Sequence, residues 1–148
     1  MQMCLILVTG FALAETPLAH SVVQRLSSLP KNTRQATTLV SVFAMAAALI
    51  NWGLGLVLGA LLARRVGESA QKLGKNIHYP LVCTAGYTGM AVWHGGFSGS
   101  APLKATTSKQ LIEILGPEVA EGMAPIPTSA SIGSWLNLTV ILLCFIII

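Results

Sequence analysis

Residues 93–103 read Trp93-His94-Gly95-Gly96-Phe97-Ser98-Gly99-Ser100-Ala101-Pro102-Leu103. This stretch sets three glycines, two serines, a histidine and a proline inside a region with no Lys, Arg, Asp or Glu from Asn76 to Leu103. Glycine loses chain entropy in a helix and proline lacks an N–H, so one continuous helix is a poor account of it. In an apolar setting the freed backbone groups have to be buried in protein or face a polar cavity. The stretch predicts a broken helix at membrane depth, with something polar bound at the break.

The composition supplies the membrane setting. Of 148 residues, 53% are hydrophobic and 9% are charged, whereas soluble domains carry about a quarter charged residues. The net charge of +4 sits in loops, which suits an orientation signal across a membrane. It forms no basic, aromatic-interleaved face for nucleic acid. Cys4, Cys83 and Cys144 lie at unrelated spacings in apolar runs and are expected to be buried, reduced thiols.

The second polar intrusion is Asn51, Trp52 and Gly53, in the middle of the uncharged stretch Ala36 to Ala63. As one straight helix that stretch would measure about 42 Å, against a hydrocarbon core of about 30 Å. Folded at Asn51 it becomes two arms of about 20 Å each, a re-entrant hairpin. The charges favour the fold: Arg25, Lys31 and Arg34 precede it, and Arg64, Arg65, Lys72 and Lys75 are placed in the loop that follows. A hairpin leaves both basic loops on the cytoplasmic side. A long tilted helix is the rival reading.

The organisation expected is therefore an all-α membrane domain. It comprises a partial helix at 1–14, a re-entrant hairpin at 36–63, a broken helix at 79–107 and a partial helix at 132–148. Between Pro17 and Pro30, Leu18, Val22, Leu26 and Leu29 suggest a short interfacial or surface helix. Leu111, Ile112, Leu115 and Val119 suggest another short amphipathic helix, in an outer segment with Glu113, Glu118 and Glu121. Both ends read as helices cut short, with Met1 inside a longer one, so the chain is expected to be a fragment.

At the break, a half-helix restarting with Ser100 near its N-cap and Pro102 in its first turn would present N–H groups and the positive end of a dipole to a small anion. With no Lys or Arg in the apolar segments, amides, hydroxyls and the Asn51 carboxamide would hold a carboxylate. A monovalent anion with an apolar body is the guest that suits them. His94 could carry a proton or bond the ligand, or simply pack, neutral, against Trp52 or Trp93. Gly95, Gly96 and Gly99 would line the break or permit close packing. Gly96 to Gly99 also matches the GFSG surrounding of an intramembrane serine protease nucleophile. Such a site needs a base within reach of Ser98, and no histidine follows on a later segment.

Three stretches, MQMCLILVTGFALA at the start, INWGLGLVLGALLAR from Ile50 and HYPLVCTAGYTGMAVWHGGFSGSAPL from His78, together resemble the short-chain fatty acid transporter family of secondary carriers. The likeness is loose from about Lys109 to Ser134. It implies no covalent chemistry and no cofactor beyond a coupling proton or sodium ion. It also implies two inverted halves, each with a hairpin and a broken helix, of which this chain would supply one. The expected substrate site is Asn51, Trp52, Gly53, His94, Gly95, Gly96, Ser98, Gly99 and Ser100. The expected partners are a short-chain fatty acid anion, the lipid bilayer of the bacterial inner membrane, a C-terminal half of the carrier and a second copy of the chain. Nucleic acid is not among them.

Overall fold

The computed structural model of the chain describes residues 2–120 and 123–148, and the side chains of residues 2, 3, 6, 100 and 101 lie outside the described set. Expectations that fall on Met1 and Glu121 thus lie outside the described residues. Regular structure among the described residues is helical throughout.

Helix α1 (Gln2–Ala14) is followed by α2 (Pro17–Ser27), which starts as its sequence dictates: Pro17 occupies the first turn and the Thr16 hydroxyl accepts from the Ala19 amide. Asn32 caps α3 (Thr33–Ile50) in the same manner through Gln35 N–H. A single residue, Asn51, extended at φ −152° and ψ 124°, then separates α3 from α4 (Trp52–Lys72). The chain therefore breaks at Asn51 instead of continuing as one long helix.

The two helices lie against each other in antiparallel register. A Cβ added to Gly55 would stand 2.6 Å from the Ala48 Cβ, and one added to Gly59 would stand 3.1 Å from the Ala44 Cβ. Four residues forward on α4 match four residues back on α3. Small residues on both sides let the backbones approach, as they do where helices pack in lipid.

The open end of the hairpin is tied by Lys75, whose ammonium donates to the Pro30 carbonyl at 2.8 Å and the Ser28 carbonyl at 3.3 Å. The His78 amide donates to the Thr33 hydroxyl at 3.0 Å. From there α5 (Tyr79–Ala85) and two 3-10 turns (Thr88–Ala91 and Trp93–Gly95) climb the hairpin towards its tip. The contacts mark the ascent: the Tyr79 ring lies on Gly67, Gly86 on Gly59, Gly89 on Ala44 and Ala48, and Gly96 on Leu49. Val40, Met45, Leu62, Val66 and Val82 are the largest fully buried side chains. The core thus sits where α3, α4 and α5 meet.

The remaining chain forms α6 (Ser100–Lys104), α7 (Ser108–Leu115), α8 (Pro117–Ala120), α9 (Thr128–Ser131) and α10 (Trp135–Ile147). Leu111 is the buried residue of α7, and Gly116 at φ 83° separates α7 from α8. In α10 Trp135 is 84% exposed and Ile147 80%. Such a helix needs lipid or further protein around it. Among the described residues, Thr33–Ile50 is the one helix long and apolar enough to cross a membrane.

The α2 segment turns Val23 into the core and leaves Leu18, Val22 and Leu29 exposed, with Ala19, Val23 and Leu26 packed on the core side. Two expectations are revised. Helix α4 does not stop at the charges after Ala63 but runs on to Lys72. Glu68 bridges Arg64 at 2.9 Å and Arg65 at 3.1 Å, one turn apart, which supports helix where the charges suggested loop. The Arg64 hydrogen bond, backed by the two guanidinium charges, holds the Glu68 carboxyl below its ordinary value. Finally, the thiols are free but not buried: Cys4 is exposed, and Cys83 and Cys144 are half-buried.

Candidate functional site

The tip residue Asn51 is placed by two helix ends at once. Its carboxamide oxygen accepts from the amides of Gly53 at 2.8 Å and Leu54 at 3.2 Å, and its carbonyl accepts from Gly55 at 3.0 Å. Asparagine suits this role because its short side chain folds back onto the second and third amides of the helix it starts. Among the described residues its Nδ2 donates to no acceptor. Gly53 is buried, and a Cβ on Gly10 of α1 would stand 2.6 Å from the Leu54 nitrogen. The tip is therefore enclosed by α1 on one side.

The break closes the other side. The Ser98 hydroxyl accepts from the Trp52 amide at 2.9 Å, and the Phe97 amide donates to the Leu49 carbonyl at 2.8 Å. Gly96 is buried against Leu49, where an added Cβ would collide with the Leu49 carbonyl oxygen and stand 2.6 Å from its Cα. Gly99 similarly lies on the His94 carbonyl. Trp52 and Trp93 stand with ring centroids 6.0 Å apart.

His94 is exposed and its ring lies 3.8 Å from that of Trp93. Among the described residues no hydrogen bond joins a histidine to Ser98, whose oxygen faces the Trp52 amide. Ser100 begins α6, and its side chain lies outside the described residues.

Two contributors have no place in the sequence expectations. The Leu49 carbonyl is open to the break because α3 ends at Ile50, the next residue, and the Gly53 amide goes to the Asn51 side chain instead; a backbone group leaves no signature in sequence. Asn137 of α10 donates through Nδ2 to the Gly95 carbonyl at 3.0 Å and to Ile132 at 2.7 Å. Its signal was present as an amide within the apolar run Ile132 to Ile148.

Beside the break lies a cavity of about 510 Å³ lined by Leu49, Gly96, Phe97, Ile132, Leu138 and Ile141, among others. Its walls are mostly apolar and its floor is the backbone of the break. A larger cavity of about 730 Å³ follows the outer face of α3 between Arg34 and Ala46, away from both polar intrusions.

The sequence model described as "Short chain fatty acid transporter" matches residues 1–148. The chain belongs to the short chain fatty acid transporter family. It is 38% identical over 143 residues to an Escherichia coli K12 protein named provisionally as a short-chain fatty acid transporter. A Haemophilus influenzae protein with the same provisional name is 35% identical over 142 residues. These alignments take in 97% and 96% of the chain but 30% and 31% of the relatives. The chain thus spans less than a third of their length. No solved structure matches it significantly. Family membership agrees with an all-helical structure that leaves large apolar side chains uncovered along α1 and α10.

Proposed function

We propose that the chain is part of a secondary carrier that moves short-chain fatty acids across the bacterial inner membrane by alternating access, without covalent chemistry. The carrying observation is the junction of tip and break: two polar intrusions joined by Trp52 N–H to Ser98 and Phe97 N–H to Leu49. An apolar cavity opens beside that junction. An amphiphile with a small polar head and a short alkyl body matches such a surface. The head would meet the Asn51 Nδ2 and the Ser98 hydroxyl, and the alkyl body would enter the cavity lined by Leu49, Ile132 and Ile141.

In this reading α3 and α4 form a re-entrant hairpin. From Ala36 to Ile50 and from Trp52 to Ala63 the apolar arms measure about 22 Å and 18 Å, both short of a core of about 30 Å. The tied open end keeps the basic loops on one side, as the positive-inside tendency requires. The two thirds of the relatives' length not matched here would supply the facing repeat and the remainder of the substrate and coupling-ion site.

The test is a chimera in which this chain replaces the matched segment of the Escherichia coli relative, assayed for labelled butyrate uptake in cells that lack their own. Saturable uptake comparable to that of the unmodified relative is expected. A chimera present in the membrane at equal abundance but without uptake, where the relative transports, overturns the proposal.

A further inference from the structure

We propose that Asn137 of α10 is a positioning residue that fixes the break against the hairpin tip; its meaning for transport rests on the function proposed above. Two successive glycines of the break face opposite partners. Gly96 is seated on Leu49, at the end of α3, while a Cβ on Gly95 would stand 2.5 Å from the Asn137 Oδ1 and 3.0 Å from the Ile141 Cδ1. The break is thus gripped between α3 and α10.

The hydrogen bonding has the same shape. Interrupting a helix leaves carbonyls without amide donors, and among the described residues the Gly95 carbonyl has Asn137 Nδ2 as its donor. The same nitrogen donates to Ile132, in the turn that precedes α10. One carboxamide therefore ties α10, its own entry turn and the break together. The other polar side chain well inside α10, Thr139, is spent on the Trp135 carbonyl of its own helix. Asn137 is the residue through which α10 sets where Phe97 and Ser98 meet Leu49 and Trp52. Moving α10 would move the site.

The first test is hydrogen exchange on the 148-residue chain in lipid nanodiscs. In Asn137→Leu, which keeps the branched shape in a larger side chain and removes the donor, the Phe97 amide is expected to exchange about tenfold faster as its bond to Leu49 loosens. Amides of α3 and α4 around Val40 and Leu62 keep their protection. Unchanged exchange at Phe97 overturns the proposal.

Should the leucine variant lose protection everywhere, a double-mutant cycle decides. Gly95→Ala crowds Asn137, so Gly95→Ala combined with Asn137→Ala should exchange at Phe97 less than the two single effects add to. Strict additivity overturns the direct contact. In the chimera, Asn137→Leu should raise the KM for butyrate severalfold at unchanged membrane abundance, and an unchanged KM removes the role in the site. If the unsubstituted chimera does not transport, the carrier reading fails, whereas the exchange result still decides whether Asn137 positions the break.

Discussion

The hydroxyl of Ser98 accepts a hydrogen bond from the Trp52 amide at 2.9 Å across 46 residues of sequence. It completes the cap of α4: Asn51 satisfies Gly53, Leu54 and Gly55, and Ser98 satisfies Trp52. The dipole end that could attract an anion is therefore closed in this arrangement. Of its caps, Ser98 alone comes from another segment.

Ser98→Ala leaves the Trp52 amide without its partner, at a cost of about 1–3 kcal/mol to the closed junction. In the chimera, Ser98→Ala should weaken butyrate binding severalfold, and the combination with Ser100→Ala should weaken it further. Ser98→Thr keeps the acceptor and should transport nearly normally. Uptake kinetics that do not distinguish alanine from serine would take Ser98 out of the substrate site.

Asn51 separates capping from binding. Asn51→Leu removes the cap oxygen and should lower stability by about 1 kcal/mol, read as a lower thermal midpoint of the chain in detergent. Asn51→Asp keeps a cap oxygen, and a negative charge at a helix start is favourable, so stability should stay near that of the parent. It loses the Nδ2 donor and sets a carboxylate where the substrate's own would lie in the proposed site. Both variants should impair uptake, and only leucine should lower the melting temperature. Normal uptake by the aspartate variant would show that the carboxamide nitrogen does not meet the substrate.

Gly96 carries the closest backbone contact between break and tip. A methyl group there would run into the Leu49 carbonyl, whose oxygen also receives the Phe97 amide. Gly96→Ala should open the junction, seen as faster exchange at Phe97 and loss of uptake. Gly74, at φ 63° with nothing within 4 Å of an added Cβ, is the control. Gly74→Asn tolerates that backbone and should leave both readouts unchanged.

The tip and the break were legible because glycine, proline and amides in uncharged sequence contradict a continuous helix. Their mutual contact follows from folding one hairpin beside one broken helix. Other features turned on pairings that sequence order conceals. Charges after Ala63 read as loop until Glu68 is seen bridging Arg64 and Arg65. The α2 segment carries two regular stripes, Leu18, Val22 and Leu29 left exposed and Ala19, Val23 and Leu26 turned to the core, and only packing on α4 distinguishes them. Asn137 lies 42 residues from the Gly95 carbonyl it holds, and the Leu49 carbonyl has no side-chain chemistry to announce it.

The sidedness of the hairpin gives the last prediction. Lys75 on the Pro30 carbonyl and His78 on Thr33 join the loops before α3 and after α4, so the two loops share one side if the hairpin re-enters. A spanning α3 followed by a spanning α4 would give the same sidedness, and the tip discriminates between them. Cysteines placed singly at Lys31 and Lys72, with Cys4, Cys83 and Cys144 replaced by serine or alanine, should both react with an impermeant maleimide in inverted vesicles and in neither case in intact cells. Ile50, 63% exposed at the tip, should resist the reagent from both sides as Ile50→Cys, because a re-entrant tip stops within the bilayer. Labelling of Ile50→Cys from the periplasmic face would show that the hairpin crosses fully. Labelling of the two loop positions from opposite faces would refute the hairpin in the membrane altogether.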